Sequence, residues 1–304
     1  MSFDVTILGC SSATPTVDRH PSAQVLNVRD TLMLLDCGEA TQNQLLHYRI
    51  SHHRIRYIFI SHLHGDHFLG LHGLLATINF QGRQEELTLF GPPDLEAMIM
   101  DYFKFSGTYL KFPLKFVATQ DQEQAKILET NYFEVFSIPL RHRIPTTGFL
   151  IREKEGLRHI NAARCEELNI PFAHYKDLKE GKDYKDEDGK VHLNEELTFA
   201  PDQIRSYAYV SDTRFSPDLK EILQGVNLLY HESTFLHELV ERAEETFHTT
   251  ALEAGQMAQM CGASKLLLGH FSARYRDLTP LLEEAKSAFE NVHLAIEGVR
   301  FTVD

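Results

Sequence analysis

Ser61-His62-Leu63-His64-Gly65-Asp66-His67 packs four metal-ligating side chains, His62, His64, Asp66 and His67, into six residues. Imidazole nitrogens and carboxylate oxygens suit zinc and metals of similar softness. Three further candidates follow other apolar runs, each beside a small residue: His142 beyond Ile138, Asp212 in Ser211-Asp212-Thr213, and His270 in Gly269-His270-Phe271. A single zinc takes three or four protein ligands. Seven candidates therefore fit two metals, His62, His64 and His142 serving one and Asp66, His67 and His270 the other. Asp212 is left to bridge, because a carboxylate has two oxygens and can span metals about 3.5–4 Å apart.

Such ligands need rigid supports. Tyr57–Ile60 reads as a buried strand delivering the histidine cluster at its carboxyl end, where open α/β sheets place their sites. Strands are also expected at Phe3–Leu8, Ala23–Val28, Thr31–Leu35, Leu87–Phe90, Leu114–Val117, Ala125–Leu128 and Tyr132–Ile138, then at Thr147–Ile151, Tyr207–Val210, Leu228–His231 and Lys265–Leu268. Helices are expected at Glu39–His47, Leu69–Asn79, from a cap at Asp94 to about Phe103, at Thr250–Met260 and at Pro280–Phe289. Two strand-rich halves with outer helices predict an α/β fold, a four-layer αββα sandwich. The first three strands lack crossover helices, which predicts mixed or antiparallel pairing.

Residues 152–205 break this rhythm. They are polar and charged, with two short helical pieces at Ala162–Leu168 and His174–Lys179 and a turn at Asp186-Glu187-Asp188-Gly189-Lys190. The reading is a single domain over 1–304, with an inserted arm that projects and has no core of its own.

Composition bounds the rest. Hydrophobic residues make up 43% of the 304, enough for a large core. No apolar run reaches the roughly 20 residues that span a bilayer, so no membrane association is expected. Met1-Ser2-Phe3-Asp4 lacks the features of a signal peptide. Cys10, Cys37, Cys165 and Cys261 are dispersed, which fits a reducing cytoplasm. The net charge of −13 argues against indiscriminate nucleic-acid binding. Two stretches escape this acidity: His47–Tyr57 has three Arg, three His and no acid, and Arg141–Lys190 has 11 Lys/Arg against 10 Asp/Glu.

His62-Leu63-His64-Gly65-Asp66-His67 resembles the HxHxDH signature of the metallo-β-lactamase superfamily, whose fold is the αββα sandwich. Within it the chain resembles ribonuclease Z, the tRNA 3′-processing endonucleases. The resemblance rests on Asp36-Cys37-Gly38-Glu39-Ala40-Thr41-Gln42, on Ile60–Leu75, on Ser211–Arg214, His231–Phe235 and His248–Ala251, and on Gly269–Tyr275. It covers essentially the whole chain, including an arm inserted after His142. It implies a hydrolase with two divalent metal ions, zinc with manganese as the alternative. The implied reaction cuts precursor tRNA after the discriminator nucleotide and leaves a 3′-hydroxyl. It also implies Asp66 as general base, His248 as proton donor to the leaving ribose oxygen, Glu232 holding His248, Arg274 on a substrate phosphate, an arm that binds tRNA (an exosite), and a homodimer in the cytoplasm. Asp36, outside the seven-ligand set, reads as a carboxylate that orients a ligand histidine through its far ring nitrogen; Ser61 and Thr249 could do similar work. His47, His52, His53, His72 and His293 read as non-ligands.

Plainer readings stay open at this point. Glu232 could start a helix, His248 could cap one, and Arg274 could sit in a surface ion pair. A small-molecule phosphodiesterase or arylsulfatase-like hydrolase on the same fold is the alternative function. The chain also departs from the family pattern. Pro15-Thr16-Val17-Asp18-Arg19-His20 stands where relatives often have PxKxRN, with Val17 in place of Lys and His20 in place of Asn. That loop is thought to sense CCA, so weaker rejection of CCA-bearing substrates is expected. The arm keeps Pro171 but lacks a Pro-Pro-Gly-Pro turn. Its lysines at 176, 179, 182, 185 and 190 are candidates for tRNA phosphates.

Overall fold

The computed structural model describes residues 2–304. The strands assort into two seven-stranded sheets. The first runs, edge to edge, Arg300–Thr302, Phe3–Gly9, Ala23–Val28, Thr31–Leu35, Ile55–Phe59, Leu87–Gly91 and Leu114–Ala118. Its first four members pair antiparallel, and parallel pairing begins where Thr31–Leu35 meets Ile55–Phe59. The second runs Val292–Leu294, Lys265–Gly269, Leu228–Glu232, Ser206–Val210, Thr146–Glu153, Phe133–Leu140 and Ala125–Glu129, with the first four parallel. Helices flank both sheets, the arrangement expected from the sequence.

Alternation along the strands sets the layers. In the first sheet Val25, Leu34, Ile58 and Leu89 pack with Leu71, Leu74, Leu75 and Ile78 of helix Gly70–Phe80 and with Leu95, Ile99 and Phe103 of helix Asp94–Phe105. On alternate residues Phe59 stacks on Phe90 at 4.5 Å and meets Phe149 of the other sheet at 5.2 Å. Strands buried on both faces read as continuous apolar runs, which is why they stand out in the sequence. Helix Ala251–Cys261 begins with a capping box between Thr250 and Glu253 and ends at Gly262 with φ of 63°. It also approaches helix Thr279–Lys286 closely: a Cβ at Gly255 would stand 2.6 Å from the Ala285 carbonyl.

Two expectations need correction. Asp94 does not cap its helix; Pro93 holds that position, and no side chain caps the end. A proline there has no N–H to satisfy, so Asp94 moves into the first turn, where its charge suits the helix dipole. The arm does have a core. The chain divides into two compact units, one up to Glu129 with Glu134–Arg152 and Arg205–Asp304, the other Thr130–Phe133 with Glu153–Ile204. In the second, Cys165, Ile170, Leu178 and Leu197 are buried together. Two ladders complete it, His159–Ile160 with Thr198–Phe199 and Tyr184–Lys185 with Val191–His192. Buried Asn194 donates to the Leu178 and Lys182 carbonyls, both at 2.8 Å. The four apolar residues are isolated among polar ones and carry no periodic signal.

Replacing Leu178 with Asp should unfold the arm alone, since losing a buried leucine costs about 2–5 kcal/mol in a core this small. Limited proteolysis should then cut within residues 156–203 while the main melting transition persists. Collapse of that transition would mean the arm's core is not independent.

Candidate metal centre

The chain turns at strand ends to bring the predicted ligands together. Ser61–His67 follows Ile55–Phe59, His142 follows Phe133–Leu140, Asp212 follows Ser206–Val210, and His270 follows Lys265–Gly269. His62, His64, His142 and Asp212 form one group able to hold a metal ion, and Asp66, His67 and His270 another. In the first, His64 Nδ1 lies 3.1 Å from both His62 Nε2 and His142 Nε2. Asp212 Oδ2 stands 3.6 Å from His62 Nε2 and 3.9 Å from His142 Nε2. In the second, His67 Nε2 and His270 Nε2 are 3.3 Å apart, and each is 3.4 Å from Asp66 Oδ2. Asp212 Oδ1 reaches this group, 3.3 Å from His67 and 3.1 Å from His270. The two oxygens of Asp212 thus face different groups. Donor atoms around a tetrahedral ion with bonds of about 2.0–2.1 Å stand about 3.4 Å apart, so the spacings fit cation ligation.

Tautomers provide a second test of that fit. His67 Nδ1 lies 2.7 Å from Asp36 Oδ2, and His142 Nδ1 lies 2.9 Å from the Phe247 carbonyl; both partners only accept, so both nitrogens carry protons. Ser61 Oγ donates to Asp36 at 2.9 Å and so accepts from His62 Nδ1 at 2.9 Å. Thr234 Oγ1 donates to Glu232 at 2.7 Å and accepts from His270 Nδ1 at 2.9 Å. Four histidines thereby commit their Nδ1 protons outward and turn their Nε2 atoms inward, as metal ligation requires. Asp36 anchors this layer. It is fully buried and also accepts from Ser61 N and from Tyr209 Oη of the other sheet, both at 2.7 Å.

Backbone strain gathers here. Asp36, Phe247 and His270 have φ of 55°, 61° and 59°, left-handed values that cost non-glycine residues roughly 1–3 kcal/mol each. The surrounding hydrogen bonds hold them.

Glu232 ends strand Leu228–Glu232 and begins no helix. Its Oε1 accepts from His248 Nδ1 at 2.9 Å and Thr213 N at 3.1 Å, and its Oε2 accepts from Thr234 N at 3.1 Å. Nor is His248 a helix cap, since Thr250 fills that role. His248 lies in a group with Asp212 and His270. Burial pulls its pKa down, but the Glu232 carboxylate outweighs that and raises it to about 9. Burial pushes the Asp212 carboxyl up, yet His270, His67 and His62 hold it well below the usual range. Burial also lowers His67, but Asp212, Asp66 and Asp36 carry it well above an ordinary histidine. Burial and its neighbour His67 hold His62 well below.

The cleft over this centre is about 440 Å³ and includes Ser12, Ala13, Glu39, Arg143, Thr246 and His248 in its walls. Arg274 is exposed and outside those walls; it stacks 5.0 Å from the Phe235 ring and makes no ion pair among the described residues. Thr249 binds the Thr213 carbonyl at 2.6 Å rather than a ring. Several contributors carry no sequence signal: the Ala13 N–H, which donates to Asp66 Oδ2 at 2.7 Å, the Phe247 carbonyl, and Arg143. Thr234 could have been found from its place two residues after Glu232. The histidines read as non-ligands, His47, His52, His53, His72 and His293, join neither metal group.

Known proteins resemble this chain along nearly its whole length. Residues 3–289 match a family model described as Anti-Pycsar protein Apyc1. The chain is 44% identical over 299 residues to Ribonuclease Z from Porphyromonas gingivalis (strain ATCC 33277), covering 98% of each, and 45% identical over 304 residues to Ribonuclease Z from Cytophaga hutchinsonii, covering 100% of this chain and 97% of that one. The crystal structure of human tRNase Z, short form, superposes with a TM-score of 0.72 at 27% identity, covering 99% of both chains.

Asp212→Ala should strip metal from both groups, whereas His248→Ala should keep the full complement, as read by elemental analysis of gel-filtered protein. Metal loss from His248→Ala equal to that from Asp212→Ala would make His248 a ligand.

Proposed function

The chain belongs to the ribonuclease Z family and to the family that the Apyc1 model describes, and we propose that it is a metal-dependent endoribonuclease cleaving precursor tRNA on the 3′ side of the discriminator nucleotide. The observation that carries this is the pairing of two inward-facing ligand sets through Asp212 with a His248–Glu232 couple beside them. The relatives' names favour this over the small-molecule phosphodiesterase or arylsulfatase-like alternative.

His62, His64 and His142 would hold one divalent cation, Asp66, His67 and His270 the second, and Asp212 both. The nitrogen and oxygen donors and their spacing support zinc, with manganese the alternative. When bound, such a pair supplies Lewis acidity toward the phosphate and lowers the pKa of water. The protein does the rest. Asp66, held by the Ala13 N–H, accepts the proton of the attacking water. As the new P–O bond forms, the bond to the ribose 3′-oxygen breaks. His248 Nε2 delivers its proton there, with Nδ1–H anchored on Glu232. The trailer leaves with the phosphate and the tRNA keeps a 3′-hydroxyl. Asp36 keeps His67 in the ligating tautomer.

Within the arm, Lys176, Lys179, Lys185 and Lys190 are exposed and make no ion pair among the described residues, which supports phosphate contacts; Lys182 is taken by Asp177 at 2.7 Å and Glu180 at 2.9 Å. A homodimer is supported by an apolar strip on two helices. Met98, Tyr102 and Phe105 recur on the exposed side of Asp94–Phe105, while Leu69 precedes and Phe80 ends Gly70–Phe80. His72 joins the two helices through its 4.7 Å ring contact with Tyr102. Phe80 and Phe105 are 79% and 83% exposed, a costly surface unless covered. A cytoplasmic setting is supported by four free, buried cysteines. No helix of the described residues is long and apolar enough to cross a membrane.

The decisive assay is cleavage of a defined precursor tRNA, with and without CCA, with the cut mapped to the nucleotide. Cleavage after the discriminator is expected, with CCA tolerated better than by a PxKxRN relative. Charge reversal of the four free arm lysines should reduce cutting at least tenfold, far more than hydrolysis of bis-p-nitrophenyl phosphate. A wild-type enzyme that hydrolyses the small ester but leaves precursor tRNA intact would overturn the reading.

Sedimentation tests the assembly. Wild type should be a dimer at micromolar concentration, and Phe80→Glu with Phe105→Glu a folded monomer. A double variant that still dimerises would move the interface elsewhere.

A further inference from the structure

Arg143 and Glu39 give the cleft a polarity. Among the described residues Arg143 is the one Lys or Arg in its walls, and Glu39 the one acid there outside the ligand set. They come from different sheets. Glu39 follows Thr31–Leu35, and Ser12 and Ala13 follow Phe3–Gly9, all from the first; Arg143 follows Phe133–Leu140 of the second. Thr246 and His248 accompany Arg143. Its Nη2 donates to the Glu245 carbonyl at 3.1 Å, beside the turn that carries His248. It is exposed and faces no carboxylate within ion-pair distance among the described residues. A second arginine braces the same turn, Arg214 donating to the Glu244 carbonyl at 3.2 Å and lying 3.9 Å over the Phe247 ring. Arg143 therefore does not have to hold the turn alone, and its guanidinium keeps donors for an anion.

In-line displacement puts the attacking and leaving oxygens on opposite sides of phosphorus. The proposed base, Asp66, is tied to Ala13, and the proposed acid, His248, lies with Arg143. The leaving ribose belongs to the mature tRNA, so that strand must exit past His248. Resting on the reading of this site as a tRNA 3′-endonuclease, we infer that Arg143 binds a backbone phosphate of the mature tRNA 3′ end, immediately upstream of the discriminator, and that the trailer leaves along the Ser12–Ala13 wall. Glu39 repels phosphate there, so on that side a backbone contact falls to Arg274 rather than to the wall itself. Arg274 belongs to the trailer side: its Nε donates to Ser272 Oγ at 3.3 Å, Arg19 Nη2 donates to the Ser272 carbonyl at 3.2 Å, and Ser12 N donates to the adjacent Phe271 carbonyl at 3.0 Å. The two arginines thus read opposite sides of the cut.

The test uses metal-loaded enzyme and mature tRNA ending in the discriminator 3′-hydroxyl. Arg143→Ala should weaken binding about tenfold and flatten the slope of log K against log salt by about 0.7, the value for one single-strand phosphate contact. Arg143→Lys should retain the slope. With precursors, Arg143→Ala should raise KM by a similar factor whatever the trailer length, while the defect of Arg274→Ala should grow as the trailer lengthens from one nucleotide to several. Mature tRNA bound by Arg143→Ala with wild-type affinity and slope would overturn the assignment. So would equal losses of kcat on tRNA and on bis-p-nitrophenyl phosphate, which would mark a brace for His248. Failure of the wild type to cut precursor tRNA would strike the functional reading itself.

Discussion

The site depends on where four imidazole protons are placed. Each outward Nδ1–H of His62, His67, His142 and His270 has an oxygen waiting for it, from Ser61, Asp36, Phe247 and Thr234. With those protons turned outward, the opposite nitrogens face the centre and are the ones available to ligate. Lone pairs about 3 Å apart, in surroundings of low dielectric, repel unless a cation lies among them. The outer hydrogen bonds therefore determine what the inner shell can bind.

Two buried carboxylates carry most of that outer layer, one from each sheet. Asp36 serves His67 directly and His62 through Ser61, and Tyr209 ties it to the second sheet. Glu232 serves His248 directly and His270 through Thr234. Each is buried and offsets its desolvation with several donors. The arrangement also explains why strain is tolerated at Asp36, Phe247 and His270. Their unusual backbone aims a carboxylate, a carbonyl and a ring at partners that would otherwise be unpaired.

Legibility varied with how far apart the cooperating residues lie. Strands such as Ala23–Val28, Thr31–Leu35 and Leu87–Gly91 are readable because two-sided burial demands apolar runs. The strand Arg300–Thr302 is not, since three residues at a sheet edge need little pattern. The arm's core leaves no sequence pattern for a related reason. Cys165, Ile170, Leu178 and Leu197 are separated by 5, 8 and 19 positions, so no helical or strand period links them. Asp94 failed as a cap because Pro93 sits at the position the side chain would need.

The sequence by itself determined the donor inventory, the count of candidate ligands and the family, because short spacings at strand ends leave few other uses for clustered His and Asp. It also identified Asp36 as a carboxylate without a place among the ligands. Only the tertiary structure decided which nitrogen of each histidine faces inward, that the two oxygens of Asp212 point to different groups, and that Arg143 rather than Arg274 lines the cleft. These are questions of direction across more than a hundred residues of chain. Direction is set by the packing of one sheet on the other, and no local pattern of residues records it.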